Sequence, residues 1–131
     1  MKIAISSAGK SLESEIDPRF GRCRYFLVVD TETEAFEVLP NENAEMMGGA
    51  GIKAAQLVAD LELSAVLTGN IGPNAFEVLN TAGIQIMTGV TGIVADAIEA
   101  YKQGQLERAE AHTVESHSGM GKDGRFGRQL T

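Results

Sequence analysis

Residues 1–40 carry a hydrophobic period of two. Ile3 and Ile5 alternate through 2–6, which reads as a short strand. Residues 25–29, Tyr-Phe-Leu-Val-Val, form a near-continuous aromatic and β-branched run that suits a strand buried on both faces. Phe36 and Val38 share one face of a third strand over 35–39, after a polar turn at 30–34. The pattern predicts a three-strand meander whose first connection is enlarged by a loop rich in Ser and Glu.

From Gly48 the rhythm lengthens. A Gly-Gly-Ala-Gly stretch at 48–51 opens a helix running to about Leu61, with Ala54, Val58 and Leu61 spaced four and three apart. Residues 65–68 form a strand that ends in Gly69-Asn70-Ile71-Gly72-Pro73. Pro73 fits the first turn of a helix, where its missing N–H costs nothing, and Gly83 closes that helix. Another strand at 84–87 leads into Thr88-Gly89-Val90-Thr91-Gly92, with Thr91 as the expected N-cap of a third helix. Its stripe is Val94, Ala97, Ile98 and Tyr101, with Gly104 just beyond. Strands followed by alternating helix and strand predict an α/β fold, a mixed sheet with helices on both faces. Right-handed crossovers make the last strands parallel to the first. The periodicity stops near Ala109, so the expected organisation is one domain over 1–108 and a mobile tail over 109–131.

Charge narrows the function classes. The chain has 131 residues and a net charge of −7. Residues 1–100 hold 14 acids and 6 bases, net −8, and residues 101–131 hold 4 acids and 5 bases, net +1. A body that acidic lacks the wide basic face that nucleic acid requires. One cysteine rules out an internal disulfide, a CxxC redox pair and a Cys-rich zinc site. The start lacks the long apolar region of a signal peptide and no later run is long enough to span a membrane, so a cytoplasmic location is expected.

Against that background one stretch stands out. Ile16-Asp17-Pro18-Arg19-Phe20-Gly21-Arg22-Cys23-Arg24 holds three of the six bases of the first hundred residues and the only cysteine. A basic loop with one soft ligand, set between strands of an acidic protein, points to an anion. Arg22 and Arg24 flank Cys23, and neighbouring cations favour thiolate; the alternative is a small core residue entering the second strand. One thiolate does not make an iron–sulfur site, which normally takes four, so a cluster would need other ligands or a second subunit. Glycine-bearing loops at 48–51, 69–72 and 89–92 each precede a predicted helix. In an open parallel sheet such loops gather at the strands' carboxyl ends, where helix N-termini attract anions; the alternative is that the glycines serve turn geometry alone. No Walker A sequence and no GxGxxG after a strand is present. His112 and His117 lie five apart in the tail, away from the i, i+4 spacing of paired ligands, and Arg125-Phe126-Gly127-Arg128 repeats Arg19-Phe20-Gly21-Arg22. No serine sits in a nucleophile-elbow context.

Taken together, the opening strand, Asp17-Pro18-Arg19-Phe20-Gly21-Arg22, the Gly-Gly-Ala-Gly helix start, Thr68-Gly69-Asn70-Ile71-Gly72-Pro73-Asn74-Ala75-Phe76 and Gly89-Val90-Thr91-Gly92 resemble the dinitrogenase iron–molybdenum cofactor biosynthesis family, which includes NifX, NafY and the C-terminal domain of NifB. The resemblance covers about residues 1–105. It implies a ribonuclease-H-like three-layer α/β/α fold, with a five-stranded mixed sheet whose second strand is antiparallel to the others. It also implies a non-enzymatic role in binding or carrying an iron–sulfur cluster or iron–molybdenum cofactor precursor, with metallocluster donor and acceptor proteins as partners. Members of this family often have His immediately before Phe-Gly, and here that position is Arg19; Cys23 replaces the ligand, or the loop binds by charge alone. The implied cofactor site combines Arg19, Phe20, Gly21, Arg22, Cys23 and Arg24 with Gly69, Asn70, Gly72, Gly89, Thr91 and Gly92, and His112 or His117 adds a ligand if the tail folds over the cargo. A nuclease is not implied, because the first strand has no acid to hold catalytic metal. Two other classes stay open: a regulatory or partner-binding domain without cofactor, and an enzyme acting on a small anionic metabolite.

Overall fold

The computed structural model describes residues 1–114. Eight elements follow in the order β1 (Lys2–Ser7), β2 (Tyr25–Asp30), β3 (Phe36–Pro40), α1 (Ala50–Ala59), β4 (Ala65–Leu67), α2 (Pro73–Thr81), β5 (Gln85–Met87) and α3 (Val94–Lys102). The strands form one sheet in the order β3-β2-β1-β4-β5. β2 runs antiparallel to both its neighbours, and β4 and β5 run parallel to β1. The connections explain the directions: β1 to β3 are joined without a helix, whereas β4 and β5 arrive by way of α1 and α2, and helical crossovers return a strand parallel.

Alternation along each strand divides the core in two. Ala4, Phe26, Val28, Val66 and Ile86 point to one face and pack on Ala54, Ala55 and Val58 of α1 and Ala75 and Leu79 of α2. Ile3, Ile5, Leu27, Val29, Ala65 and Leu67 point to the other and pack on Val94, Ala97 and Ile98 of α3. β1, β2 and β4 are therefore apolar on both sides, which is why they read as unbroken runs. The α/β class, the five-stranded mixed sheet and the antiparallel second strand agree with the expectation.

Three details differ. α1 ends at Ala59, and Leu61 lies beyond it, more than a third exposed, while Leu63 turns into the core. Thr91 does not cap α3. Ile93 holds the cap position without a side-chain bond, and the first helical N–H groups are taken from outside: Val94 N–H donates to the Ser14 carbonyl at 2.9 Å and Ala95 N–H to the Leu12 carbonyl at 2.8 Å. The enlarged first connection thus doubles back as an extended segment and does the capping that a side chain would otherwise do. Finally, the first residues of the expected tail are docked. Ala109 N–H donates to the Ile86 carbonyl at 2.7 Å, and Thr113 N–H to the Ile71 carbonyl at 2.9 Å. Apolar periodicity gives no sign of this, because hydrogen bonds hold the segment, among them one to the Thr113 hydroxyl. The rest of the 109–131 tail, His117 included, lies outside the described residues.

Candidate functional site

The carboxyl ends of β1, β4 and β5 point the same way, and the chain enters β2 at that same end. The loops meeting there are stitched by main-chain hydrogen bonds. Asn70 N–H donates to the Pro18 carbonyl at 2.7 Å and Phe20 N–H donates to the Asn70 carbonyl at 3.2 Å, joining the arginine stretch to the β4–α2 loop. Gly89 N–H donates to the Gly69 carbonyl at 2.8 Å, and Ile16 N–H to the Gly92 carbonyl at 2.8 Å. So the loops at 16–24, 69–72 and 89–92, picked out separately in the sequence, form one continuous surface.

Two glycines make that approach possible. A Cβ on Gly69 would stand 2.8 Å from Pro18 Cα, and one on Gly21 would stand 2.7 Å from Gly51 Cα in the first turn of α1. Both contacts are with backbone, which has no rotamer to yield. A Cβ on Gly51 would in turn meet that of Ala75, at the start of α2, at 3.7 Å. The arginine loop, the start of α1 and the start of α2 therefore touch in sequence.

The side chains of the stretch go to different places. Phe20 and Cys23 are buried; the Phe20 ring packs on Phe26 with centroids 5.2 Å apart. Cys23 Sγ donates to the Phe20 carbonyl at 3.4 Å. Burial first, and the negative charge of Asp17 second, push its thiol up to about 12, so the group stays protonated. The thiolate expected from the flanking arginines is not favoured, because the thiol turns into the core and the side chain of Arg22 turns away from it. Arg22 is engaged elsewhere, its Nη1 donating to the Ala44 carbonyl at 3.0 Å and the Met46 carbonyl at 2.9 Å. Arg19 remains largely exposed, with Nε 3.4 Å from Asp17 Oδ1, and Arg24 is exposed. Asn70, Gly89, Thr91 and Gly92 are exposed on the same rim; Gly72 is half-buried and Gly69 buried. His112 is exposed just before the Thr113 anchor.

Ser6, Thr68 and Asn41 were not among the expected site residues, and Asp17 entered only as part of the 16–24 stretch. Ser6 Oγ donates to the Asp17 carbonyl at 2.7 Å and lies 2.8 Å from Thr68 Oγ1. Asp17 itself is buried and accepts the Arg19 N–H at 3.0 Å. Asn41 Nδ2 reaches the Gly21 carbonyl at 3.1 Å and the Cys23 carbonyl at 2.9 Å. The legible signal was positional: Ser6 and Thr68 lie at the carboxyl ends of adjacent parallel strands, and Asp17 precedes a proline.

Metal ligation finds little support in this donor set. Among the described residues no group of three or more His, Cys, Asp or Glu side chains is placed to hold a metal ion. Anion binding fits better. α1 and α2 begin at Gly49 and Gly72 without any side-chain cap, so their first N–H groups keep their partial positive charge. α3 drops out, its N-terminus being occupied by Ser14 and Leu12.

Fold and site define a small α/β protein with a loop-built, locally basic rim at the carboxyl edge of its sheet. A family model described as dinitrogenase iron-molybdenum cofactor matches residues 1–104, and the chain belongs to that family. The apo form of the orange protein from Desulfovibrio gigas is similar at 37% identity and a TM-score of 0.83, over 86% of this chain and 96% of that one. An NMR structure of a Thermotoga protein assigned provisionally as NifB is 36% identical with a TM-score of 0.75, over 86% and 97%. An uncharacterized protein of Methanocaldococcus jannaschii is 32% identical over 113 residues, 84% of this chain and 92% of the relative. No helix among the described residues is long and apolar enough to cross a membrane.

Proposed function

We propose that this protein is a non-enzymatic carrier whose cargo is an anionic iron–sulfur or iron–molybdenum type cofactor, or a precursor of one, passed between metallocluster donor and acceptor proteins in the cytoplasm. The observation that carries the reading is the meeting of two uncapped helix starts, α1 and α2, beneath the loop that bears Arg19. Such an arrangement holds negative charge through N–H groups and a guanidinium, without a covalent bond to metal. It suits a cargo that brings its own sulfide ligands, and release then needs only a competing charge. Family membership, and a relative whose solved form is described as apo, support the same reading. Within it Phe20, Gly21, Arg22 and Cys23 shape the rim from behind, while Arg19, Asn70, Gly72 and the 89–92 loop face the cargo.

Anaerobic purification and reconstitution with iron, sulfide and molybdate, followed by metal and sulfide analysis and a visible spectrum, test it. A coloured protein with stoichiometric metal, stripped by high salt and not by thiol reagents, is the expected result. Colourless protein that fails reconstitution overturns the carrier reading in favour of a cofactor-free partner-binding domain, and turnover of a small anionic metabolite overturns it in favour of an enzyme.

A further inference from the structure

The two edges of the sheet are treated differently. On β5 the Ile86 carbonyl is already taken by Ala109 N–H, and Arg108 bridges to Met87, so that edge is covered. On β3 no main-chain group among the described residues pairs with the outer side. Which groups face out follows from the flanking bonds. Asp30 N–H donates to the Ala35 carbonyl at 2.9 Å and Asn41 N–H to the Arg24 carbonyl at 3.0 Å, so the odd-numbered residues address β2. Phe36 and Val38 therefore turn both their N–H and C=O groups outward, while Pro40 presents a carbonyl alone. The Phe36 side chain, 39% exposed, stands beside these groups on the α3 face.

We propose that the outer edge of β3 receives an extended, basic segment of a partner protein as a sixth strand. The chemistry of the partner follows from charge. Residues 32–45 contain Glu32, Glu34, Glu37, Glu42 and Glu45 and no Lys or Arg. Among the described residues Glu34 is paired with Lys102 Nζ at 2.9 Å and Glu32 lies 4.0 Å from the Met1 ammonium, while Glu37, Glu42 and Glu45 face no cation. Lys or Arg on alternate positions of an added strand would lie against Glu37, and an apolar residue between them would lie against Phe36.

A second copy of the chain fits poorly. Antiparallel self-pairing that matches Phe36 with Val38 sets the two Glu37 side chains directly opposite one another, a destabilising like-charge pair. Shifting the register so that Val38 faces Val38 puts Phe36 opposite Pro40, which has no N–H to give. Proline and glutamate on this strand thus guard against the chain's own edge while leaving two full hydrogen-bonding residues to a basic strand. This surface is separate from the loop rim, so its test does not depend on the cargo.

The probe is a fluorescent peptide of alternating Lys and Val, about eight residues long, titrated against the full chain by anisotropy. A Glu/Val peptide of the same length is the control. Saturable binding of the Lys/Val peptide alone, with slowed amide exchange at Phe36 and Val38, is expected. Val38→Pro removes one outward N–H without touching the β2 ladder and should weaken binding about tenfold with folding intact. Glu37→Lys should weaken it as well, which keeps the decision open to measurement if the proline variant does not fold. Undiminished affinity in a folded Val38→Pro protein, absence of saturable binding, or a sedimenting dimer that Val38→Pro abolishes would each overturn the proposal, the last by making a second copy the occupant.

Discussion

Thr113 clasps both main-chain polar groups of Ile71: Ile71 N–H donates to Thr113 Oγ1 at 2.8 Å, and Thr113 N–H donates to the Ile71 carbonyl at 2.9 Å. Ile71 is buried in the middle of the 69–72 loop, so these are the partners that keep its polar groups from being stranded. The segment following α3 is therefore part of the rim. Thr113→Ala should cost about 1–2 kcal/mol, the penalty of a buried N–H left unpaired, and Thr113→Ser should restore most of it. Urea denaturation of the three proteins measures this. Truncation after Glu107 should lower stability below that of a chain truncated after Val114, by more than Thr113→Ala does. Equal stability of the two truncated chains would show the clasp to be idle.

Cys23 offers a test by pH. Its folded thiol is pushed from 9.0 up to about 12 by burial, and it lies against the Phe20 carbonyl. The unfolded thiol gives up its proton first as pH rises, so the contribution of the protonated, buried group is complete below pH 9 and is lost between about 9 and 12. Stability should fall in that window with a slope of up to about 1.4 kcal/mol per pH unit, and Cys23→Ala should flatten the slope. Chemical denaturation at matched alkaline pH values compares them. The native thiol should also resist alkylation at neutral pH, and Cys23→Ser should reduce stability by on the order of 1 kcal/mol while leaving cargo retention alone. Rapid alkylation of the folded protein would contradict the burial.

Much of this fold was legible because it is carried by period. Ile3 and Ile5, the 25–29 run, and the Val94, Ala97, Ile98 stripe all sort core from surface as the structure does. The loops at 16–24, 69–72 and 89–92 were legible as a set because glycine and proline mark chain turns at strand ends. What escaped is long-range and main-chain in nature. Ser14 and Leu12 cap α3 through carbonyls that every residue has, and Thr113 clasps Ile71 through its N–H and hydroxyl from a distant place in the sequence. Cys23 misled for a related reason. Adjacent arginines in sequence imply a cationic neighbourhood, but Arg22 reaches away to the Ala44 and Met46 carbonyls and the intervening thiol turns inward.

Glycine substitutions separate close packing from simple turn geometry. Gly21→Ala would press a methyl group to 2.7 Å from Gly51 Cα, and Gly69→Ala would do the same at 2.8 Å from Pro18 Cα. Each should cost about 1–3 kcal/mol, since only backbone displacement relieves the overlap. Gly48→Ala meets nothing within 4 Å and has no left-handed backbone to strain, so it should be neutral. Thermal unfolding of the three variants ranks them. A Gly21→Ala protein as stable as Gly48→Ala would mean that the arginine loop does not rest on α1.

The arginines of the rim should divide by role. Arg22 spends its Nη1 on the Ala44 and Met46 carbonyls, which ties the 41–49 loop to the start of β2. Hydrogen bonds from a charged donor are worth about 1.5–3 kcal/mol, so Arg22→Ala should lower stability visibly and raise amide exchange through that loop. Arg19 is mostly exposed and holds only a long contact, 3.4 Å, with Asp17. An ion pair that exposed contributes little, so Arg19→Ala should leave the unfolding midpoint almost unchanged. If the cargo is held by charge, the same Arg19→Ala protein should retain it several-fold more weakly, and the wild-type protein should lose it as salt is raised. Arg19→Lys should keep the charge and recover part of the retention. Retention that survives Arg19→Ala at every salt concentration would move the cargo away from this rim, whatever the metal analysis of the wild-type protein shows.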